Sequence, residues 1–230
     1  RGHTEYLIES EAGPRPAPQA FLVHQRPGWV LPVHYHLEEQ FQVVTRGSGR
    51  LGRHSVGPLT VHYSARESGY GPLVAGEEGV DYLTLRAVTD PGAWYLPEMR
   101  DRMRPGLKKR HVTVGPLPPM APERLAALGA AEAQVLVEGE SGGLGAALLR
   151  VPPLACAPAP AAAPGGGRFH IVVGGSWIGA EGEVGHLACI WHGPDDAPLA
   201  AQAGAGGLEL LVLQYPAAAL HAEPERHAAG

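Results

Sequence analysis

His34-Tyr35-His36 is the one constellation whose residue types and spacing could carry chemistry. In an extended strand, residues i and i+2 point to one face. The two imidazoles therefore project together and could grip one metal ion. After Leu37-Glu38-Glu39 the chain returns through Gln40-Phe41-Gln42-Val43-Val44. A hairpin return brings one or two side chains opposite the pair, enough to complete a three-ligand wall. A carboxylate at Gln40 would cancel part of a divalent charge, whereas an amide oxygen binds hard cations only weakly. Glu38, Glu39 or a tyrosinate at Tyr70 could restore that charge. Without one, affinity shifts toward metals that accept nitrogen ligands. The alternative keeps both histidines as interior polar groups, hydrogen-bonded to each other, to Gln40 and to water.

The elements that must position this pair are short strands. Residues 4–9, 20–25, 30–36, 40–46, 49–54, 59–64, 70–74 and 80–88 alternate apolar and polar residues between Gly or Pro punctuation. This rhythm favours a sandwich or barrel over a helical fold. A second run follows at 110–114, 133–138, 144–151, 168–173, 186–192 and 208–215. Ala, Leu and Pro122 favour one short helix over 121–131. Residues 43–52 and 172–182 both end a β-run in Gly-rich turns, and 79–88 echoes 207–216. A duplicated β-barrel is the simplest account. Its parts are an N-terminal barrel over 1–90 and a connector over 91–109, where Pro91, Pro97 and Pro105 interrupt pairing. A C-terminal barrel follows over 110–220. The Pro/Ala/Gly tract 152–167 reads as a mobile loop within it.

Composition narrows the partners. The 230 residues carry a net charge of −5, which lacks the basic footprint of a nucleic-acid binder. The short run Lys108-Lys109-Arg110-His111 reads as a solvated strand entrance. No apolar run nears the length needed to span a bilayer, so no membrane association is expected. Cys156 and Cys189 allow at most one bridge, and a buried and an exposed thiol are the simpler reading. A cytoplasmic compartment is therefore expected. Edge strands are a hazard that barrels often resolve by association, which makes a homodimer the expectation.

The spacing Gly28-WVLPV-His34-Tyr35-His36-LEE-Gln40-FQVVTR-Gly47 resembles the first motif of the cupin superfamily. That motif places a Gly five residues before His-x-His, a Glu after three or four more, and a Gly six residues later. Every interval fits, with Gln40 standing where the family has Glu. The likeness extends to about 20–88 through the strand pattern, and more faintly to 110–216. It implies an all-β bicupin, two tandem jelly-roll barrels, of which the second is degenerate. It also implies a divalent metal (iron, zinc, nickel, copper or manganese) on His34 and His36, with Gln40 completing or orienting the site. The family's second motif supplies a further His from a later strand. Here the matching region is 57–72, where Tyr70 falls at the late position and His62 lies earlier. His62 is then the candidate third ligand, and Tyr70 a candidate catalytic acid, ligand or packing residue.

Other histidines carry less. His24 reads as an outer-face residue, and His170, His186 and His192 lack His-x-His spacing. Gly47-Ser48-Gly49 follows a strand but opens no helix, so it reads as a hairpin turn and not a phosphate cradle. Ser141 and Ser176 lack the strand–nucleophile–helix setting of a hydrolase. Barrel mouths favour small-molecule ligands, with aliphatic residues from 43–44, 59–61 and 82–85 expected as the wall. Two functions follow from the resemblance. One is a metal-dependent dioxygenase, decarboxylase or isomerase. The other is a non-catalytic ligand-binding or structural bicupin with a decayed metal site.

Overall fold

The structure, a computed structural model, describes residues 2–10, 17–138, 143–160 and 166–220. It is all-β and forms two compact units, the first running to Pro118 and the second from Pro119 to Ala218. The architecture is that of tandem jelly-roll barrels. Among the described residues, no helix is long and apolar enough to cross a membrane.

The first unit contains β1 (His3–Ile8), β2 (Gln19–Gln25), β3 (Val30–Leu31), β4 (His34–Tyr35) and β5 (Gln40–Leu51). It continues with β6 (His54–Val56), β7 (Val61–Ser64), β8 (Leu73–Arg86), β9 (Trp94–Tyr95) and β10 (His111–Val114). Its main sheet runs β1-β2-β8-β5-β7-β10, with β3 on β8 and β6 on β5, while β4 and β9 pair separately. All pairings are antiparallel. The end of β8 meets the start of β5, Arg86 opposite Gln40, and the start of β8 meets the end of β5, Leu73 opposite Leu51. Val44, Leu51, Val56, Leu73, Val80 and Tyr82 close one end of the barrel as an apolar core.

β5 and β8 are each longer than the sequence pattern suggested. Segments 40–46 and 49–54 join in one strand, and 70–74 and 80–88 share another. The glycines expected to turn instead absorb register shifts between Val44 and Arg46 and between Gly47 and Gly49. Gly47 has φ +72°, and a Cβ there would lie 2.2 Å from the Gly79 carbonyl oxygen. Glycine serves a bulge as well as a turn because both need positive φ or close backbone approach. The true turn lies at Gly52-Arg53, between β5 and β6.

The second unit contains the short helix α1 (Pro122–Ala126), β11 (Glu132–Val137), β12 (Gly145–Val151), β13 (Cys156–Pro158) and β14 (Arg168–Gly179). β15 (Gly182–Val184), β16 (Cys189–His192) and β17 (Ala200–Gln214) complete it. Its sheet runs β11-β12-β17-β14-β15, with β13 on β17 and β16 on β14. Thus β12-β17-β14-β16 repeats the connectivity of β2-β8-β5-β7. Val151, Val172, Leu208 and Leu210 are completely buried in its core, each contributing about 1.5–3 kcal/mol by leaving water. Among the described residues this unit has no counterpart of β4. The stretch 159–167 between β13 and β14 contains no histidine.

Four expectations need revision. The strand over 110–114, assigned by pattern to the second half, is β10 and pairs with β7 in the first sheet, Thr113 opposite His62. The connector 91–109 holds β9, whose Tyr95 and Trp94 pair with His34 and Tyr35. Loop 152–167 includes β13, which pairs with Ala200–Gln202, while its residues 161–165 lie outside the described residues. The helix stops at Ala126, since only Leu125 is buried to hold it, and five residues cannot sustain a helix without packing.

Gly47→Ala should lower stability by more than about 1 kcal/mol, because both the φ and the Gly79 contact oppose a Cβ. Urea denaturation reads the difference. An unchanged midpoint would show that the β5 bulge is not conformationally constrained.

Candidate functional site

Two backbone neighbours fix the His-x-His strand. On one side β4 pairs with β9. On the other, His34 N donates to Tyr70 O at 3.1 Å and Tyr70 N donates to His34 O at 2.9 Å. The intervening Tyr35 points away, stacks on Trp94 and donates to the Met99 carbonyl at 3.1 Å. His34 and His36 thus share a face, as the period of two requires, with ring centroids 5.2 Å apart. Both are buried.

Asp90 organises the turn after β4. Its Oδ2 accepts from the backbone N–H of Leu37 at 2.9 Å and of Glu38 at 3.1 Å. Its Oδ1 accepts from Gly92 N at 2.8 Å and from His36 Nδ1 at 2.9 Å. The Gly92 carbonyl also faces His36 Nδ1, at 3.0 Å. Asp90 Oδ1 and Gly92 O both accept, so Nδ1 carries the proton, and Nε2, which faces the Arg86 guanidinium, holds the lone pair. Burial would raise the Asp90 carboxyl, but the His36 hydrogen bond and the Arg86 charge outweigh it and hold the group at about 2.

Arg86, at the end of β8, lies on the same face as Gln40 and Gln19 because the three strands align at that register. Its Nη2 donates to Gln40 Oε1 at 2.9 Å, its Nε to the same oxygen at 3.2 Å, and its Nη1 to Gln19 Oε1 at 2.6 Å. Its Nη2 also lies 3.2 and 3.4 Å from the two ring nitrogens of His36, and its guanidinium carbon sits 5.4 Å from the centre of the Phe21 ring. Among the described residues no carboxylate stands within ion-pair distance of Arg86.

A relay of hydrogen bonds runs outward from that cation. Gln40, its oxygen held by Arg86, donates through Nε2 to the Tyr70 hydroxyl. Tyr70 donates to His34 Nε2 at 2.9 Å, and His34 Nδ1 donates to the Pro32 carbonyl at 2.7 Å. Burial pushes the Tyr70 phenol well above its usual range, so it remains protonated and supplies no negative charge. Burial and the neighbouring His36 hold His34 down at about 4, and burial with Arg86 also lowers His36. Both rings are neutral at pH 7.

The structure brings His34, His36, Gln40 and Tyr70 together. His62 faces Tyr70 with ring centroids 5.2 Å apart, but its Nδ1 engages Thr113 Oγ1 at 2.8 Å and its ring stacks on His111. Burial keeps it neutral, at about 3. Neither glutamate faces the pair. Glu39 Oε2 accepts from Tyr63 at 2.6 Å, and Glu38 lies 3.8 Å from Arg66, its carboxyl raised to about 7 by burial. The expected aliphatic wall is mixed, with Gln42 and Thr84 paired in phase with Gln40 and Arg86 while Val43 and Leu83 occupy the opposite face.

Each prospective ligand atom therefore already has a hydrogen donor beside it. His34 Nε2 has Tyr70, His36 Nε2 has Arg86, and Gln40 Oε1 has two Arg86 groups. A divalent ion on these atoms would require Tyr70 and Arg86 to withdraw. At 4 Å and an effective dielectric near 20, the repulsion between ion and guanidinium is about 4 kcal/mol per unit of ionic charge.

Sequence reasoning missed Arg86 and Asp90. Arg86 left a signal, as a cation in phase with Tyr82 and Thr84 inside the otherwise apolar run 82–88. Asp90 left none, since Asp-Pro-Gly reads equally as an ordinary turn.

The second unit repeats one part of this arrangement. Arg168 pairs with Gln214 across β14 and β17, the register of Gln40 and Arg86 with the two residue types exchanged. Arg168 is buried and donates to the Pro160 carbonyl at 2.7 Å. It borders a cavity of about 170 Å³ lined by Val135, Val137, Ala147 and Val212. His170 and His192 lie beside each other with ring centroids 5.8 Å apart. Burial holds His170 at about 3.

The low His34 value makes a pH dependence. Between about 6.5 and about 4 an unfolded chain binds a proton that the folded chain refuses. Stability is therefore full above pH 6.5 and falls as pH drops toward 4, with a contribution from His34 on the order of 3 kcal/mol. Urea midpoints measured across this window should fall less steeply in His34→Gln than in the parent. Equal slopes would place the acid sensitivity elsewhere.

No family model matches the chain, and no curated protein matches it in sequence. Solved structures do share its fold. Oxalate decarboxylase from Bacillus subtilis at pH 4.6 superposes with a TM-score of 0.59 and 13% identity, over 94% of this chain and 72% of that one. A second oxalate decarboxylase structure, describing substrate binding and a reaction-specificity switch, gives 0.59 and 13%, over 96% and 74%. At such identity the likeness establishes a shared fold, two tandem jelly-roll barrels.

Proposed function

We propose that the first barrel is a non-catalytic binding site for a small carboxylate, with Arg86 standing as the cation where a metal cupin holds its ion. The observation that carries this reading is the partner set of Arg86. A buried guanidinium is expensive unless matched by a negative group, and here its direct partners are two amide oxygens and an imidazole, with Asp90 joined to it only through that imidazole. A carboxylate replacing the Gln40 or Gln19 oxygen could engage it through two parallel bonds. The neutral histidines and the protonated Tyr70 would supply a hydrogen-bonding surround. Arg168 with Gln214 repeats the provision in the second barrel, beside an apolar cavity that suits the rest of an organic acid.

One observation favours the metal-dependent reading. His34 and His36 both anchor Nδ1–H, on Pro32 O and on Asp90 with Gly92 O, and both present Nε2 inward. Metal-binding histidines are held in this way. A divalent ion on His34, His36 and Gln40, serving a dioxygenase, decarboxylase or isomerase, is the second reading. A homodimer belongs to either, supported by β1, an edge strand exposed along most of its length. Two free cysteines, Cys156 exposed and Cys189 raised to about 12 by burial, support a cytoplasmic setting.

Two measurements separate the readings. Acetate, malonate and benzoate should each raise the melting temperature of the parent, acetamide should not, and Arg86→Gln should lose the effect while Arg86→Lys keeps part of it. Equal shifts in parent and Arg86→Gln would sink the carboxylate site. Elemental analysis of protein purified without a nickel column should show no metal that depends on the pair. Stoichiometric metal, lost in a His34→Ala/His36→Ala variant, would establish the metal reading instead.

A further inference from the structure

On the face of β2 opposite Val23, a second group of ligand-type side chains has assembled away from the barrel interior. His3 and His24 sit directly opposite each other across β1 and β2. Glu5 follows His3 by two residues and so shares its face. His3 Nε2 lies 3.3 Å from Glu5 Oε1, and His24 Nε2 lies 3.5 Å from the same oxygen. One ligand atom from each of the three residues falls within 4.8 Å of the others.

The protonation pattern decides what belongs between them. His24 is opposite Asp81 on β8, and its Nδ1 lies 3.0 Å from Asp81 Oδ1. A carboxylate only accepts, so Nδ1 carries a proton, and the neutral ring then offers Nε2 as its lone pair. That lone pair is buried, has no hydrogen-bond partner, and faces the Glu5 carboxylate. In the neutral ring two acceptors thus face each other, an arrangement that a cation between them relieves. Asp81 meanwhile does for His24 what a supporting carboxylate does for a metal-binding histidine, fixing tautomer and orientation.

We infer that His3, Glu5 and His24 form a zinc site on the outer face of the first barrel, with Asp81 as the positioning residue. Two imidazoles and one carboxylate are a zinc donor set, and the exposed side leaves the fourth position to water. His24 is partly buried and held by Asp81. Its ring and that of His3 stack at 4.3 Å, so His3, two-thirds exposed, tilts from that stack to turn its lone pair inward. The ion would clip the edge strand β1 to β2, and this role is independent of the barrel interior and of any ligand there.

Isothermal titration of the untagged chain with zinc chloride tests the site. Its background is the His34→Ala/His36→Ala variant, which removes the barrel histidines from the count. The expected result is one zinc equivalent, weakened about tenfold or more by His24→Asn or Glu5→Gln and about 10- to 100-fold by Asp81→Asn. Zinc should also slow hydrogen exchange at the amides of β1, an effect absent from His24→Asn. No zinc uptake at high micromolar concentration would overturn the inference, as would uptake unchanged by all three substitutions.

Discussion

A buried anion and a buried cation meet at one imidazole, and the first barrel is organised around them. Asp90 draws the Nδ1 proton of His36 and, through the same carboxylate, ties down the backbone of Leu37, Glu38 and Gly92. Arg86 lies against both nitrogens of the same ring and takes the oxygens of Gln40 and Gln19. Each charge lowers the cost of burying the other. Without Asp90 the turn after β4 would lose three bonds and Gly92 a fourth. Without Arg86 the amides of two strands would be left with unsatisfied oxygens in a nearly dry interior, where each such loss costs about 1–3 kcal/mol.

How much of this was legible follows from the range of the interactions. The His34–His36 pair, the returning Gln40 and the glycines at 28 and 47 lie within twenty residues of one another. Period-two geometry and local spacing were therefore enough to find them. Arg86 and Asp90 come from 46 and 54 residues further along than Gln40 and His36 respectively. Only the register of β8 against β5 brings Arg86 to Gln40, and a one-residue slip would have faced it the other way. The same limit explains β10. Four residues of ordinary strand composition fit either sheet equally well, and pairing with β7 was invisible until Thr113 met His62.

The two units preserve a strand order while their interiors diverge. In the first, a separate strand carries histidines over the end of the sheet. In the second, the corresponding stretch is Ala, Pro and Gly. What persists is an arginine and a glutamine side by side on the two central strands, in exchanged order. Persistence of that pair beyond the loss of the histidines suits an interior in which the fixed positive charge belongs to the chain itself.

The Gln40 amide has a consequence for how such a network can respond. Its oxygen is pinned by a guanidinium that can only donate, so the amide cannot rotate to present nitrogen to Arg86 without setting donor against donor. Every bond from Arg86 through Gln40 and Tyr70 to His34 is consequently oriented in one sense. The interior has a built-in polarity, as a row of magnets has once its first member is bolted down. A change at the far end, near Pro32, can lengthen or break the row but cannot reverse it. Any signal through these residues is therefore confined to a loss or gain of order.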